Sequence, residues 1–322
     1  MRRRHSLRAV GALLTIGIFV AAPFAARGQS QPAIEVADSS IHYGQTASVR
    51  GTVGPENAGR QVALEFSSRR DAWRVIRTAT ADSTGAYRFR TRLRRTGHLR
   101  VALTDATTPR AAQPASGGSG LPTTESAAPD APRSAARRIT VAARIVAPYR
   151  RLDVRSGEAA VVRGTVGPAQ AGRLVRLELR DGGRWRAVDS DRTDSRGRYA
   201  LSHRLRFSGG RYARVTFRGD TANARSVRRV GQVHAYREAL ASRYDAYGGA
   251  LGCGGRLGYD SLVVAHKTLP CGTKVRIRYH GRTVVATVRD RGPYAGGREF
   301  DLAGAVARRL GFDGVGRIWV SR

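Results

Sequence analysis

The chain has 322 residues, a formal net charge of +33 and a hydrophobic fraction of 41%. It is long enough for two or three domains of ordinary size, and its hydrophobic content excludes a globally disordered chain. Lys267 and Lys274 are the only lysines, so arginine carries almost all of the positive charge. Such a charge indicates either anionic partners or an arginine-rich solvated surface, and because the arginines occur in every segment both interpretations stay open.

The first 28 residues have the pattern of a secretory signal peptide. A basic segment ending at Arg8 precedes an apolar run that ends at Ala26, and small residues follow at the expected cleavage position. A membrane anchor needs roughly 20 apolar residues, for which this run is marginal, and no later segment is apolar enough. We therefore predict export to the cell wall, the periplasm or the medium, with no membrane contact after cleavage.

The chain contains two cysteines, Cys253 and Cys271. In an exported protein an even number of cysteines predicts a disulfide, and closing this loop is worth about 3 kcal/mol on the chain-entropy account. Two free thiols or half of a metal site are the alternatives, although cysteines without C-x-x-C spacing make a poor zinc site. Because the histidines are scattered and the acids few, we predict no metal or organic cofactor.

The middle of the chain contains a repeat. The sequence VRGTVGP at residues 49–55 recurs at 162–168, and Asp-Ser-x-Gly-x-Tyr follows at 82–87 and at 194–199. Alternating apolar residues such as Val62, Leu64 and Phe66 predict strands, and Asp-Ser-x-Gly predicts a turn with a left-handed glycine. Each copy is therefore a predicted β-sandwich, and the pair resembles bacterial immunoglobulin-like or carboxypeptidase-regulatory-like modules.

We place these modules at residues 33–106 and 138–233, joined by a flexible linker at 107–137 that is rich in Ala, Pro, Ser and Gly. Neither copy assembles a catalytic set, so both are interpreted as spacers or wall-binding modules. Trp73 and Trp185 occupy equivalent positions in the two copies. They are either packing residues, which we favour, or aromatic rings that stack on sugars.

The last domain, residues 234–322, has a different pattern. Alternation from Lys274 to Val288 predicts a hairpin that turns at His280-Gly281, and a final strand is predicted around Trp319. A short helix is predicted to begin at Asp301, as its N-cap, and to end at Gly311. Several short strands with one short helix are typical of a small β-barrel. The fold class is therefore mainly β, with two sandwiches followed by a barrel.

Five segments of this domain resemble the rare lipoprotein A (RlpA) family and occur in the family's order: Ala241-Ser242-Arg243-Tyr244, Ala265-His266-Lys267-Thr268-Leu269-Pro270, Gly272-Thr273-Lys274-Val275, Asp290-Arg291-Gly292-Pro293-Tyr294 and Phe300-Asp301-Leu302. The resemblance implies a six-stranded double-psi β-barrel, which the family shares with expansins and with the catalytic domain of membrane-bound lytic transglycosylase A. It covers about a quarter of the chain.

The resemblance also implies an action on peptidoglycan glycan strands. A lytic transglycosylase cleaves the bond between N-acetylmuramic acid and N-acetylglucosamine and leaves a 1,6-anhydro end. Since the nucleophile is the substrate's own hydroxyl, one acid/base group suffices. We predict that Asp290 is this group, with a pKa raised by partial burial, unless it only caps a turn. We predict that His266 lies beside it, to polarise or orient a sugar, unless it only orders its loop.

The remaining predicted site residues are substrate-binding: Tyr244, Thr268, Arg291, Tyr294 and Asp301. For the two tyrosines, packing is an equal alternative to stacking on sugar rings. For Asp301, helix capping is the alternative, although the expansin aspartate in the same Asp-Leu context is essential for function. Capping and binding are compatible roles.

One departure from the family separates two hypotheses. Catalytic members carry a glutamate about eleven residues before the histidine, where this chain has Gly255 and no acid between 254 and 259. Either the domain is a lytic transglycosylase, which we favour, or it is a non-catalytic, expansin-like module that binds or loosens the wall. In both cases the predicted partners are peptidoglycan and other anionic wall polymers. We expect no nucleic-acid partner, and we expect a monomer.

Overall fold

The computed structural model describes residues 31–68, 72–104 and 131–322. The predicted signal peptide and most of the predicted linker lie outside these ranges. The described chain is mainly β, with twenty-one strands and one α-helix. None of its helical structure is long and apolar enough to cross a membrane.

The first sandwich contains eight strands. They are β1 (Ala33–Val36), β2 (Ser40–His42), β3 (Thr46–Thr52), β4 (Gln61–Ser67), β5 (Arg74–Thr80), β6 (Ala86–Arg92), β7 (Gly97–Thr104) and β8 (Arg137–Ala142). One sheet has the order β1-β3-β6, and the other has the order β5-β4-β7-β8-β2. Apolar side chains from both sheets, including Val49, Leu64 and Phe89, form one buried core between them.

The second sandwich repeats this arrangement strand for strand. Its strands are β9 (Arg144–Arg151), β10 (Asp153–Arg155), β11 (Ala159–Gly167), β12 (Leu174–Asp181), β13 (Arg184–Arg192), β14 (Arg198–Arg204), β15 (Gly209–Gly219) and β16 (Ala224–Tyr244). The sheets are β9-β11-β14 and β13-β12-β15-β16-β10. In both copies the second strand pairs in parallel with the eighth, so the sequence repeat is a repeat of topology.

The repeated sequence motif has a structural reason. Tyr87 and Tyr199 donate hydroxyl hydrogen bonds across each sandwich, to the carbonyl oxygen of Ala33 at 2.5 Å and of Val146 at 3.0 Å. The first glycine of each VRGTVGP segment, Gly51 or Gly164, lies beneath that bond. A Cβ at this position would overlap both the carbonyl oxygen and the tyrosine ring or hydroxyl. The predicted left-handed glycines of the Asp-Ser-x-Gly turns are confirmed, with φ of 78° at Gly85 and 73° at Gly197.

Both sandwich tryptophans are half-buried, in agreement with the packing interpretation. An arginine guanidinium covers each ring at about the same distance, Arg100 over Trp73 at 4.0 Å and Arg214 over Trp185 at 4.1 Å. Each of these arginines also pairs with a glutamate of the neighbouring strand. The indole, guanidinium and carboxylate thus form a layered contact that is the same in both copies.

Two module boundaries differ from the sequence prediction because strand pairing crosses them. The predicted boundary at residue 138 lies within β8, whose Ile139 and Val141 are buried in the first core. The predicted boundary at residue 234 lies within β16. Residues 224–235 of that strand pair with the second sandwich, and residues 237–244 pair with the last domain. One continuous strand therefore joins the two modules.

The last domain closes into a six-stranded ring. The end of β16 is joined by β17 (Val263–His266), β18 (Lys274–Tyr279), β19 (Arg282–Asp290), β20 (Phe300–Ala303) and β21 (Val315–Ser321). The ring order is β16-β20-β17-β19-β18-β21, and β21 pairs back onto β16. This confirms the predicted six-stranded barrel and its hairpin at His280-Gly281. Apolar residues such as Val264, Ile277 and Leu302 fill its interior.

The single helix, α1 (Gly304–Leu310), begins later than predicted. Its N-cap is Ala303, and Asp301 lies within β20, so the prediction that Asp301 caps the helix was wrong. The strand continues to Ala303 because Asp301 pairs with neighbours on both sides, Ser242 of β16 and Ala265 of β17. The predicted end of the helix is confirmed, with Gly311 left-handed at φ 67°.

Candidate active site

Four strands place a row of side chains across the outer face of the barrel. Ser242 of β16 is in register with Asp301 of β20, Asp301 with Ala265 of β17, and Ala265 with Asp290 of β19. Residues directly opposite each other in a sheet point to the same face. The two carboxylates therefore flank the small side chain of Ala265, about 10 Å apart at the backbone because two strand spacings separate them.

A β-bulge turns Asp290 to this outer face. The alternating residues Val284, Ala286 and Val288 point into the barrel core, so an uninterrupted strand would point residue 290 inward as well. The pairing of β17 with β19 passes from Val264–Val288 to Ala265–Asp290 and leaves Arg289 unpaired. This extra residue turns the side chain of Asp290 from the inner to the outer face of the strand. Bulges commonly position functional side chains in this way.

Asp290 accepts three hydrogen bonds. The hydroxyl of Tyr244 donates to Oδ2 at 3.1 Å, and the backbone N–H groups of Gly252 and Arg291 donate to Oδ1 at 2.8 Å each. These three donors fix the orientation of the Asp290 carboxyl group. Tyr244 is kept neutral, because burial first and the nearby Asp290 charge second raise the pKa of its hydroxyl. Tyr244 therefore contacts Asp290 directly and packs against the apolar side chains around it, and its predicted role in binding sugar stays a prediction.

Asp301 accepts fewer hydrogen bonds than Asp290 does. It is half-buried and accepts a hydrogen bond from the Ser242 hydroxyl at 2.8 Å. Burial raises its pKa, and the hydrogen bond from Ser242 and the charge of Arg298 oppose this rise in part. The negative charge of Asp290 adds the smallest effect, which also raises the pKa. The two carboxyl groups of the site thus have different hydrogen-bond partners, and the pKa of Asp301 is raised above its ordinary value.

His266 lies beside the row but faces away from it. Because it follows Ala265 in the strand, its imidazole points to the opposite side, where it packs on Phe300 with ring centroids 4.8 Å apart. Nδ1 accepts hydrogen bonds from the backbone N–H groups of Thr268 and Leu269 at 3.1 and 3.0 Å. Burial lowers the pKa of His266, which agrees with a neutral ring. The structure does not bring the imidazole to Asp290.

The ring's other nitrogen contacts Glu299, a residue that the sequence analysis did not single out. With Nδ1 accepting, Nε2 carries the proton and faces Glu299 Oε1 at 3.3 Å. Glu299 also forms a two-pronged ion pair with Arg237 of β16, and that arginine is the first cause of its lowered pKa. No local pattern marks Glu299, since its contacts come from residues 62 and 33 positions away.

The other predicted binding residues, Arg291, Thr268 and Tyr294, differ in their contacts and in their exposure to solvent. The guanidinium of Arg291 donates to the carbonyl oxygens of His266 and Leu269 at 3.2 and 2.7 Å, so it is engaged in holding that loop. Thr268 is exposed, and Tyr294 is the most exposed large hydrophobic side chain among the described residues, at 80%. Arg291 therefore holds the loop that follows His266, and the predicted contacts of Thr268 and Tyr294 with substrate stay predictions.

The predicted disulfide is present between Cys253 and Cys271. It ties the loop that supplies the Gly252 N–H to the loop that follows His266. Leu251, Leu257, Val263 and Ala303 pack with Tyr244 in a small separate core on the outer face of the barrel. These contacts position the Gly252 donor over Asp290. Among the residues that the structure describes, no three His, Cys, Asp or Glu side chains cluster as metal ligands would.

Comparison with known proteins agrees with this geometry. A family model described as "Lytic transglycolase" matches residues 237–321. The "Probable endolytic peptidoglycan transglycosylase RlpA" of Synechocystis is 42% identical over 69 residues, which are 20% of this chain and 22% of that protein. The Neisseria meningitidis "Endolytic peptidoglycan transglycosylase RlpA" is 41% identical over 61 residues, which are 18% of this chain and 26% of that protein.

A Pseudomonas aeruginosa protein of the same name is 33% identical over 103 residues, which are 29% of this chain and 26% of that protein. The chain thus covers about a quarter of the length of these relatives. Among solved structures, the D0-D1 domain of Intimin aligns over 63% of this chain and 97% of its own, at 10% identity and a TM-score of 0.23. The two sandwiches are therefore assigned from their own strand pairing.

Two observations lead to one assignment. The strands form a ring of six, with carboxylates on β19 and β20, and the family model matches the same residues. Residues 237–321 form an RlpA-like double-psi β-barrel domain, carried behind two immunoglobulin-like sandwiches.

Proposed function

We propose that the barrel is a lytic transglycosylase that cleaves the MurNAc–GlcNAc bond of peptidoglycan and leaves 1,6-anhydro ends. The observation that carries this proposal is the pair of carboxylates, Asp290 and Asp301, held in register on the outer face with different environments. The names of the RlpA relatives, endolytic peptidoglycan transglycosylases, support the same substrate class.

In this mechanism Asp301, rather than Asp290, is the general acid. A general acid has to be protonated at the working pH, and it is Asp301 whose pKa burial raises. Asp290 accepts three hydrogen bonds that orient its carboxyl group, and in this proposal it stabilises positive charge at the anomeric carbon. This proposal differs from the sequence prediction, in which Asp290 is the acid, and the variants of both aspartates distinguish the two.

The proposed reaction needs no water. Asp301 gives its proton to the glycosidic oxygen as the bond from that oxygen to the muramyl anomeric carbon breaks. The muramyl 6-hydroxyl then forms its bond to the anomeric carbon, and its proton passes to the Asp301 carboxylate, which restores the acid. One carboxyl group can serve in both steps because the nucleophile belongs to the substrate and is already positioned.

The other residues of the site support this chemistry indirectly. Tyr244 and the Gly252 N–H orient Asp290, and Ser242 orients Asp301. We propose that Thr268 and Tyr294 contact the glycan at the rim, since both are exposed. His266 and Arg291 are proposed as positioning residues of the loop between them rather than as groups that touch the sugar.

A second candidate function is non-catalytic binding or loosening of the wall. It is favoured by one observation, the glycine at the position of the family glutamate. Gly255 has a φ of +85°, a backbone conformation that suits glycine and disfavours a glutamate side chain. In this alternative the same carboxylates bind sugar hydroxyls without transferring a proton.

The surrounding architecture fits an exported envelope protein in both cases. We propose that the signal peptide directs export, that the sandwiches extend the barrel's reach into the wall, and that the chain acts as a monomer. The Cys253–Cys271 disulfide supports an oxidising compartment.

The deciding experiment incubates the purified chain with intact peptidoglycan and with peptidoglycan stripped of stem peptides, followed by mass spectrometry of the soluble products. Anhydro-muropeptides that disappear with Asp301→Asn are the expected result. Sedimentation of the chain with the same glycan in the absence of any anhydro product would instead establish the binding function.

A further inference from the structure

A cleft of about 560 Å³ lies between the second sandwich and the barrel. Its sandwich wall comes from β9 and β10, and its barrel wall comes from the β18–β19 hairpin and β21. The two walls are held together by β16, because Asp153 to Arg155 of β10 pair with His234 to Tyr236 just before that strand enters the barrel. The cleft is therefore part of a hydrogen-bonded junction between the modules.

Positive charge predominates in this cleft. Four arginines and two acids line it. Both acids are engaged by neighbours, Glu158 by Arg151 at 2.8 Å and Asp153 by the Tyr236 hydroxyl at 3.4 Å. Among the described residues, no carboxylate pairs with the guanidinium of Arg155 or with that of Arg278.

An indole orients one of the two unpaired guanidiniums. Arg155 of the sandwich lies over the ring of Trp319 of the barrel at 4.1 Å, so the contact also bridges the two walls. A guanidinium stacked on an aromatic face keeps its N–H edge free for a planar or tetrahedral oxyanion. Arg155 and Arg278 thus offer two unpaired cationic groups in one cleft, which is the arrangement that binds carboxylate or phosphate groups.

The hairpin tip beside these arginines has an unusual backbone. His280 has a φ of 43°, and among the described residues it alone adopts a positive φ without being glycine. Asn or Gly is the usual residue at such a position of a two-residue hairpin turn. His280 lines the cleft wall beside Arg278 and is a further hydrogen-bonding side chain there.

The cleft is separate from the carboxylate pair. Tyr236, which lines it, and Tyr244, which contacts Asp290, lie at opposite ends of the barrel portion of β16. Eight residues of extended strand separate them by about 26 Å. The hairpin tip and Asp290 likewise lie at opposite ends of β19. The two sites do not share residues.

We propose that this interdomain cleft is a second binding site, which takes an oxyanion group of an anionic glycan or wall polymer between Arg155 and Arg278. The group is a carboxylate or a phosphate, and both share the chemistry that a guanidinium pair recognises. The site fixes the polymer to the hydrogen-bonded junction of the two modules and leaves the barrel's outer face open. This inference does not depend on whether the barrel is catalytic.

The chain itself supplies a reporter for the test. It has three tryptophans, and Trp319 is the one in the cleft, so a Trp73→Phe/Trp185→Phe variant reports on the cleft alone. We would titrate it with poly(glycerol phosphate), with polygalacturonate and with neutral dextran. An ionic strength of about 0.15 M limits electrostatic screening to about 8 Å and reduces diffuse attraction. Calorimetry on the unsubstituted chain measures the same affinities without the reporter.

We expect saturable binding of one or both polyanions with a change in Trp319 fluorescence, and no binding of dextran. Preference for the phosphate or the carboxylate polymer identifies the source of the group. Arg155→Gln/Arg278→Gln should weaken binding by about tenfold or more in calorimetry, the scale of one or two charge-assisted contacts. Arg155→Lys/Arg278→Lys keeps the charge and should retain part of the affinity.

The matched control removes the same charge elsewhere. Arg90 and Arg92 are exposed on β6 of the first sandwich, and Arg90→Gln/Arg92→Gln should leave the affinity within about twofold of the original, because surface charges beyond a Debye length are screened. The proposal is overturned if neither polyanion binds, if the control weakens binding as much as the cleft variant, or if binding leaves Trp319 fluorescence unchanged.

Discussion

Asp290 and Asp301 occupy the same register position on the two strands that flank Ala265. Their chemistry differs because their surroundings differ. Asp290 accepts three hydrogen bonds, whereas Asp301 is half-buried beside a serine hydroxyl and has a raised pKa. A pair of acids separated in this way can divide the roles of proton donor and charge stabiliser.

The first prediction concerns the two carboxylates. Asp301→Asn should lower the rate of anhydro-product formation by about 100- to 10,000-fold, the usual contribution of a general acid. Asp290→Asn should lower it less, because the amide keeps an acceptor for the donors around it. Product release from peptidoglycan, followed by mass spectrometry, measures both rates.

Asp313→Asn is the matched control, since Asp313 is an exposed barrel aspartate whose carboxylate pairs only loosely with Arg243 at 3.4 Å. Its activity should equal that of the original chain. Full activity in Asp301→Asn together with loss in Asp290→Asn would return the acid role to Asp290.

The second prediction concerns pH and stability. The pKa of Asp301 is raised in the folded protein above its ordinary value of 3.8. The folded state therefore binds this proton more tightly than the unfolded state does. Stability from this group is fully present below pH 3.8 and is lost as the pH rises through the folded-state pKa. Asp301→Asn removes this loss, because the amide stays neutral.

The measurement is urea unfolding of both proteins between pH 3 and pH 7. Their free energies of unfolding should agree at the lower limit, and the variant should become the more stable protein as the pH rises. The Asp313→Asn control should run parallel to the original chain. A variant that is equally destabilised at every pH would mean that burial does not raise the pKa of Asp301.

The third prediction concerns His266. His266→Ala leaves the backbone N–H groups of Thr268 and Leu269 without their acceptor and should destabilise the barrel by about 2–4 kcal/mol, the cost of buried unpaired donors. His266→Asn offers an amide oxygen near the position of Nδ1 and should recover a large part of this stability. Chemical denaturation compares the three proteins.

Activity distinguishes positioning from catalysis at His266. If the imidazole only orders its loop, activity should recover with stability in the asparagine variant, and its pH profile should keep the shape of the original. A fully folded His266→Asn protein without any activity would identify the ring as a group that acts on the substrate.

The fourth prediction concerns the disulfide. Cys253 and Cys271 are 18 residues apart, and removing this cross-link with a double serine variant should lower the free energy of unfolding by about 3 kcal/mol. Activity should fall as well, because the bridge fixes the loop whose Gly252 N–H binds Asp290. Denaturation of the oxidised chain with and without reductant is the measurement. As the control, reductant should leave the free energy of unfolding of the double serine variant unchanged.

Local chemistry explains which features could be predicted from the sequence. The Asp-Ser-x-Gly turns, the His280-Gly281 hairpin and the end of the helix at Gly311 depend on residues within a few positions, so their sequences carry the signal. The sandwich repeat could be detected in the sequence because both copies need a glycine beneath the tyrosine hydroxyl, where a Cβ would not fit. The family motifs likewise indicated the barrel before any strand pairing was known.

Features that depend on register between distant strands could not be obtained in this way. The local sequence around Asp301 predicted a helix N-cap. The residue lies in β20 instead because it pairs with β16 and β17, and this pairing is not visible in the local sequence. Glu299 was not noticed because its partners lie 33 and 62 residues away. The predicted boundary at residue 138 left most of β8 in the second sandwich. The strand belongs to the first sandwich because its apolar side chains are buried in that core, and these contacts are with residues distant in the sequence.

The sequence by itself determined the order of modules, their mainly β class, the disulfide and several of the residues of the candidate site. Tertiary structure decided which of those residues meet and in what state. A bulge at Arg289 turns Asp290 outward, burial raises the pKa of Asp301, and strand alternation turns His266 away. The reason is that facing, burial and charge environment are properties of neighbours in space, which residue order specifies only through the completed fold.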